Sequence, residues 1–366
     1  MAGGFVIGRW LKRGWDWVES IDRSDWPREQ VAQFMMNLPF VPKTWEKIEI
    51  ELSGQKSLYW SSVGVNPYEQ DCDINLAAKY LIEHERPKTA VRCLVAKPDN
   101  QSEIDLGLAA QVLIEAANSD EPANSMDTYE LVELIQFLQN QDGFDRSMMI
   151  RIEGIYLPIL NQYNGASPIV LQSLLASDPD VFCEIIQSIY RSRSESEEKI
   201  SPTHQEQNRA ENAYLLLDEW SMPPGTNLDG TFSDEAFVTW LDRVVKITTD
   251  SGHLEVALQS AGRVLIYAPR ADDGLVLRHA IAEAANKVEM DELRKGYCLA
   301  LFNSRGVHWV DPTGKPEIEL AEKFEGQADQ LEKAGYFHLA ASLRNLAGEY
   351  RHEAKRLQNR KPSDDM

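Results

Sequence analysis

The chain has 366 residues and carries 37 Lys and Arg against 58 Asp and Glu, a formal net charge of −21. That charge opposes contact with nucleic-acid phosphates and anionic lipid, while a hydrophobic content of 43% supplies a buried core and argues against wholesale disorder. The four cysteines, Cys72, Cys93, Cys183 and Cys298, form no CxxC pair and lie on apolar-periodic segments, which excludes a dense disulfide framework and points to buried, reduced thiols.

Residues 1–15, MAGGFVIGRWLKRGW, have their charges after the short apolar run Phe5-Val6-Ile7, the reverse of a secretory signal. No stretch reaches the apolar length of a membrane span. A bacterial cytoplasmic setting with no membrane partner is expected. Six of the nine tryptophans, Trp10, Trp15, Trp17, Trp26, Trp45 and Trp60, fall in the first 60 residues. They predict a compact aromatic core closing one end of a helical stack. The alternative is a docking face, with Trp10, Trp15, Trp17 and Trp26 as its candidate residues.

Residues 73–96, DINLAAKYLIEHERPKTAVRCLVA, predict two short amphipathic helices joined at Glu85-Arg86-Pro87. Ile74, Ala77, Tyr80 and Leu81 share one face, as do Ala90, Val91, Leu94 and Val95, and Pro87 suits a first helical turn. This hairpin and a second over residues 235–268 are the segments most like tetratricopeptide pairs. Helix starts are predicted at Pro27, at Pro168 after Ser167, at Pro179 after Asp178, and at a Ser102/Asp105 capping box. Ser233 is expected to cap a helix carrying Phe237, Trp240, Leu241, Val244 and Val245, and Gly143, Gly252, Gly274, Gly306 and Gly335 to stop helices.

Three breaks interrupt this pattern: SDEPANS at 119–125, the charged SRSESEEKISPTHQEQ at 192–207, and MPPGTNLDGTF at 222–232. They divide the chain into an N-terminal hairpin stack over 1–200, a C-terminal helical domain over 205–357, and a tail over 358–366. The fold class is all-α, an irregular helical-hairpin stack of α-solenoid type, tetratricopeptide-like in places.

The sequence carries none of the common local catalytic signatures. GVHWVDPTGKP at 306–316 is similar to a phosphate loop but has Trp309 where a glycine is required and Pro316 where Ser or Thr is required. His84-Glu85 and His352-Glu353 lack the second histidine of a zinc-protease helix, no GxSxG elbow occurs, and Asp229-Gly230 and Asp272-Asp273-Gly274 lack the oxygen ligands of an EF-hand. No cofactor or metal is expected. Basic residues gather only near the start and on the last helix, too narrow a stripe for nucleic acid. The most unusual segment is LALFNSRGVHW at 299–309. It predicts a helix stop at Gly306 with Trp309 tucked between helices, or a recognition patch formed by Asn303, Arg305, His308 and Trp309.

GWDWVES at 14–20, LPFVPKTWEKI at 38–48, LYW at 58–60, ERPKTAVRCL at 85–94, LASDPDVFCEIIQSIYR at 175–191, RAENAYLLLDEW at 209–220, PGTNLDGTF at 224–232 and FNSRGVHW at 302–309 together cover most of the chain. This set resembles the C-terminal helical region of large, mostly unannotated bacterial multidomain proteins. The resemblance implies a helical module whose enzymatic domain, where one exists, lies N-terminal to it, and for some relatives a place in anti-phage defence. The chain is then a truncated relative or a stand-alone partner. No catalytic residue is carried over. The expectation is a non-enzymatic protein for macromolecular recognition or scaffolding with a protein partner. The alternatives are a sensor or regulatory module of a defence-type system acting on a separate effector, and an enzyme whose site is assembled from distant segments around Asn303, Arg305 and His308.

Overall fold

The computed structural model describes residues 2–96, 104–191, 204–227, 229–306 and 311–359. Among these, the chain is all-α. The sole β feature is an isolated antiparallel bridge between Thr226 and Phe232, in the Pro/Gly loop expected there. The helices run from 4 to 22 residues, so no fixed repeat length governs the stack. The chain forms two compact units, Met1–Ser167 and Pro168–Met366. This boundary lies upstream of the division near residue 200 expected from composition, because the helices on either side of Asp178 pack into the second unit. Residues 192–203 and the tail from 360 lie outside the described residues.

The first unit comprises α1 (Ala2–Glu19), α2 (Arg28–Met35), α3 (Pro42–Glu51), α4 (Ser57–Trp60), α5 (Ile74–Glu83), α6 (Pro87–Val95), α7 (Leu106–Ala117), α8 (Asp127–Gln139) and α9 (Arg146–Tyr156). The hairpin read from residues 73–96 is α5–α6. Asp73 caps α5 by accepting from the Leu76 amide at 2.9 Å, and Pro87 occupies the first turn of α6. From there the stack builds by overlap: α6 packs on both α7 and α8, and α7 on α9. Asp105 alone caps α7, through the Leu108 amide at 3.0 Å, while Ser102 lies outside the described residues. Pro27 and Pro168 stand at the N-cap positions of their helices, one residue before the first turn where they were expected, and neither contributes a side-chain cap.

The aromatic core expected at this end centres on Trp45 and Trp60, both buried. Trp60 meets Trp45 at 5.7 Å, Phe40 at 6.1 Å and Tyr59 at 5.1 Å, and stacks on Tyr80 of α5 at 4.7 Å. Arg86, in the turn after α5, donates to the Trp60 and Val63 carbonyls at 2.9 and 2.8 Å. The hairpin is therefore joined to the tryptophan cluster by a ring stack and by two charge-assisted hydrogen bonds. The polar connector at 119–125 is also tied down. Glu121 accepts from the Lys88 and Thr89 amides at 2.7 and 3.2 Å and from the Thr89 hydroxyl, so a distant carboxylate caps the N-terminus of α6.

The second unit comprises α10 (Ile169–Ser177), α11 (Pro179–Ile189), α12 (His204–Asp218), α13 (Asp234–Ser251), α14 (Leu254–Val264), α15 (His279–Asn286), α16 (Asp291–Asn303), α17 (Lys315–Lys333) and α18 (Phe337–Gln358). Asp178 caps α11 and Ser233 caps α13, as expected. Its aromatic core is formed by Phe182, Trp220 and Trp240, with the Trp240 indole donating to the Leu175 carbonyl at 3.0 Å. Buried His253 places one ring nitrogen 3.0 Å from the Tyr190 carbonyl and the other 3.1 Å from the Ser251 hydroxyl, which fixes the end of α11 against the α13–α14 turn. The last two helices form a long antiparallel pair turned at Gly335 (φ 87°), burying Ala321, Phe324, Ala328 and Leu331 against Leu339, Leu343, Leu346 and Tyr350.

Glu85 is exposed and is the one non-glycine residue with positive φ (61°) among the described residues. A side chain in this left-handed region is strained, and glycine is not. Glu85→Gly is expected to raise stability by up to about 1 kcal/mol, read as a higher urea midpoint at unchanged slope.

Candidate recognition cleft

In the second unit α14 and α16 approach closely at two glycines. An added Cβ at Gly262 would lie 2.1 Å from the Leu293 carbonyl oxygen, and one at Gly296 would lie 2.1 Å from the Gln259 carbonyl oxygen. Neither position can carry a side chain without separating the helices. A glycine inside a helix costs about 1 kcal/mol relative to alanine, and here that cost is offset by backbone-to-backbone contact. α18 packs along another side of α16. The three helices bound a cleft of about 690 Å³.

Its apolar surface includes Leu299 and Phe302, three residues apart on α16 and 53% and 38% exposed. Both therefore point from one face of the helix. Phe302 is supported from beneath: its ring lies 5.2 Å from that of buried Tyr350, which stacks on Phe324 at 5.7 Å. Gln259 and Ser260 of α14 and Ser342 and Asn345 of α18 supply polar groups to the walls.

The basic groups around the cleft are already paired. Arg294 is buried and donates to the Ala285 and Lys287 carbonyls at 2.7 and 2.6 Å, which caps the end of α15. Lys295 bridges Asp291 and Glu292, each at 2.8 Å, and both carboxylates hold its pKa above the usual lysine range. Arg263 meets Asp218 at 3.2 Å. The cleft therefore presents no free cation among its described residues, and Glu349 of α18 adds a carboxylate to its wall. Burial, with Glu349 adding to it, pushes the Cys298 thiol up to about 12. It is protonated at neutral pH and unsuited to nucleophilic work. The arrangement suits an apolar ridge bearing amide or hydroxyl groups.

Of the patch read from residues 303–309, Asn303 and Arg305 are among the described residues. Asn303 is exposed at the end of α16, whereas Arg305 turns inward and pairs with buried Glu317 of α17 at 2.6 Å. That ion pair fastens the loop after α16 to the start of α17. His308 and Trp309 lie outside the described residues. In the first unit Trp10, Trp15, Trp17 and Trp26 are all half-buried. Trp10 and Trp15 meet edge-on at 6.2 Å, while Trp17 and Trp26 pack on Phe34 at 6.0 and 5.7 Å. The latter two serve largely as support for α2. Gly262, Gly296, Leu299 and Phe302, which form the cleft, are not among the candidate residues expected from the sequence. The available signal was a glycine in the interior of each of two strongly periodic helices.

Among the described residues no three His, Cys, Asp or Glu side chains gather to hold a metal ion. Comparison with protein-family models, with curated proteins and with solved structures returns no match.

Two substitutions test this framework. Gly296→Ala is expected to cost about 2–3 kcal/mol, from the overlap a methyl group forces on the Gln259 carbonyl, visible as a lower urea midpoint. Arg305→Ala leaves the Glu317 carboxylate buried without its cation and is expected to cost about 3 kcal/mol by the same measurement.

Proposed function

We propose that this is a non-enzymatic helical recognition protein that seats an amphipathic helical segment of a protein partner in the cleft over α14, α16 and α18. The reading rests on Leu299 and Phe302, which stand solvent-exposed at a three-residue spacing on a helix whose backbone is locked against its neighbour. A ligand helix burying its own i, i+3, i+4 stripe against such a pair gains apolar contact without disturbing the charge pairs at the rim. The protonated state of Cys298 and the internal pairing of Lys295 and Arg263 favour binding over chemistry at this surface.

All four cysteines are free and burial raises each thiol, in keeping with a reducing, cytoplasmic compartment. From α5 to α9 each helix packs on the next, and α5, α6 and α7 also on the next but one, which supports an α-solenoid-like scaffold in the first unit, with helix lengths too uneven for a tetratricopeptide array. A regulatory role toward a separate effector would use the same cleft.

Selection of a random helical peptide library on the full chain tests the reading. It is expected to return peptides with an apolar stripe at i, i+3, i+4 and i+7. Leu299→Glu should weaken them at least tenfold, about 1.4 kcal/mol, with thermal stability unchanged because the side chain is already exposed. Peptides whose binding is indifferent to Leu299→Glu would overturn the assignment of the cleft.

A further inference from the structure

The end of the first unit carries a surface of a different kind. α1 is bent at Gly14 (φ 60°, ψ −154°), and the turns before the bend show solvent an unusual mixture of side chains. Phe5, Ile7 and Leu11 are 59%, 46% and 70% exposed. Val6 is buried on the opposite side, and Gly3 approaches the Asn37 side chain there. At Gly4 and Gly8 a side chain would meet no atom within 4 Å. At 100° per residue, Ile7, Leu11, Gly4, Gly8, Lys12 and Phe5 fall in that order over an arc of about 160°.

The charge of this segment is opposite to that of the chain. Arg9, Lys12 and Arg13 are the only ionisable side chains in residues 1–15, and the first carboxylate is Asp16. Lys43 of α3 stands nearby, its ammonium 4.9 Å from the centre of the Trp15 ring and 3.9 Å from the Glu19 carboxylate, which offsets its charge, so the basic character rests on Arg9, Lys12 and Arg13. Exposed charges separated by more than about 8 Å are largely screened at physiological ionic strength, so the approaching surface responds to this local cluster more than to the net charge of −21.

We propose that α1 docks in the interface of an anionic lipid bilayer. Three features favour this over an acidic protein partner. The apolar arc is broad, whereas a single partner helix covers a narrow seam. The cation inside the arc is a lysine, whose stem can lie along apolar surface while its ammonium reaches the headgroups. Trp10, half-buried, lies about 60° beyond Ile7 on the same projection and meets Trp15 edge-on, and indole rings favour the headgroup level. The attachment is peripheral: no described helix is long and apolar enough to cross a membrane.

The test is co-sedimentation of the full chain with phosphatidylcholine vesicles and with vesicles containing one quarter phosphatidylglycerol, at low and physiological salt. The wild type is expected to pellet with the anionic vesicles and not the neutral ones, less so at higher salt. The double substitution Phe5→Glu and Leu11→Glu should lower that partition at least about tenfold without moving the thermal midpoint, since both side chains are already in water. Lys12→Glu with Arg13→Glu should abolish the anionic preference and serves as the second variant. No pelleting with either vesicle, equal pelleting with both, or pelleting unaffected by either double substitution would each overturn the proposal. A shift in tryptophan emission on adding an acidic amphipathic peptide, with no vesicle binding, would assign the face to a protein and overturn it as well.

Discussion

The second unit depends on the distance between two helix backbones. Where α14 crosses α16, Gly262 faces the Leu293 carbonyl and Gly296 faces the Gln259 carbonyl, and neither helix can rotate or separate without losing that contact. The phase of α16 follows from it. With Gly296 turned toward α14, Leu299 and Phe302 face the cleft, and the Phe302 ring lies over Tyr350 of α18. Arg294, two residues before Gly296, reaches back to the carbonyls at the end of α15. One steric condition thus places an apolar surface, a buried guanidinium and the packing of the last helix pair.

The first unit is organised by polar groups that reach between elements. Arg86 satisfies the carbonyl of the last residue of α4 and that of Val63 beyond it, and Glu121 satisfies two amides at the start of α6. A buried or half-buried backbone group left unpaired costs about 1–3 kcal/mol, so such contacts hold loops in place where a small apolar core would not. The stacked Trp60 and Tyr80 rings add the apolar half of the same joint.

What was legible in the sequence was local. Asp73, Asp178 and Ser233 could be read as caps because a cap acts within three residues, and Pro87 and Pro179 because proline constrains its own φ. Of the five expected stop glycines, Gly252 and Gly335 end helices with left-handed φ, whereas Gly143, Gly274 and Gly306 stand in turns beyond helices that have already ended. The cleft was not legible because it requires knowing that α14 lies against α16, with α15 intervening in the chain. Arg305 carried a strong polar signal but no indication that Glu317 would take it inward. Trp220 and Trp240 form a comparable core with Phe182 but are spaced too widely along the chain to mark it, unlike the dense N-terminal tryptophans. The domain boundary was placed at the most polar stretch, whereas compactness follows packing, and α10 and α11 pack onward.

Glu121 also bears on how the protein is made. The carboxylate lies 33 and 32 residues beyond the two amides it accepts from. During synthesis the α5–α6 hairpin leaves the ribosome well before its cap does, and the first turn of α6 relies on water until the connector following α7 has emerged. The hairpin that reads as the most self-sufficient piece of the sequence is therefore finished late. Its final locking waits on a residue that belongs, by position along the chain, to a later pair of helices.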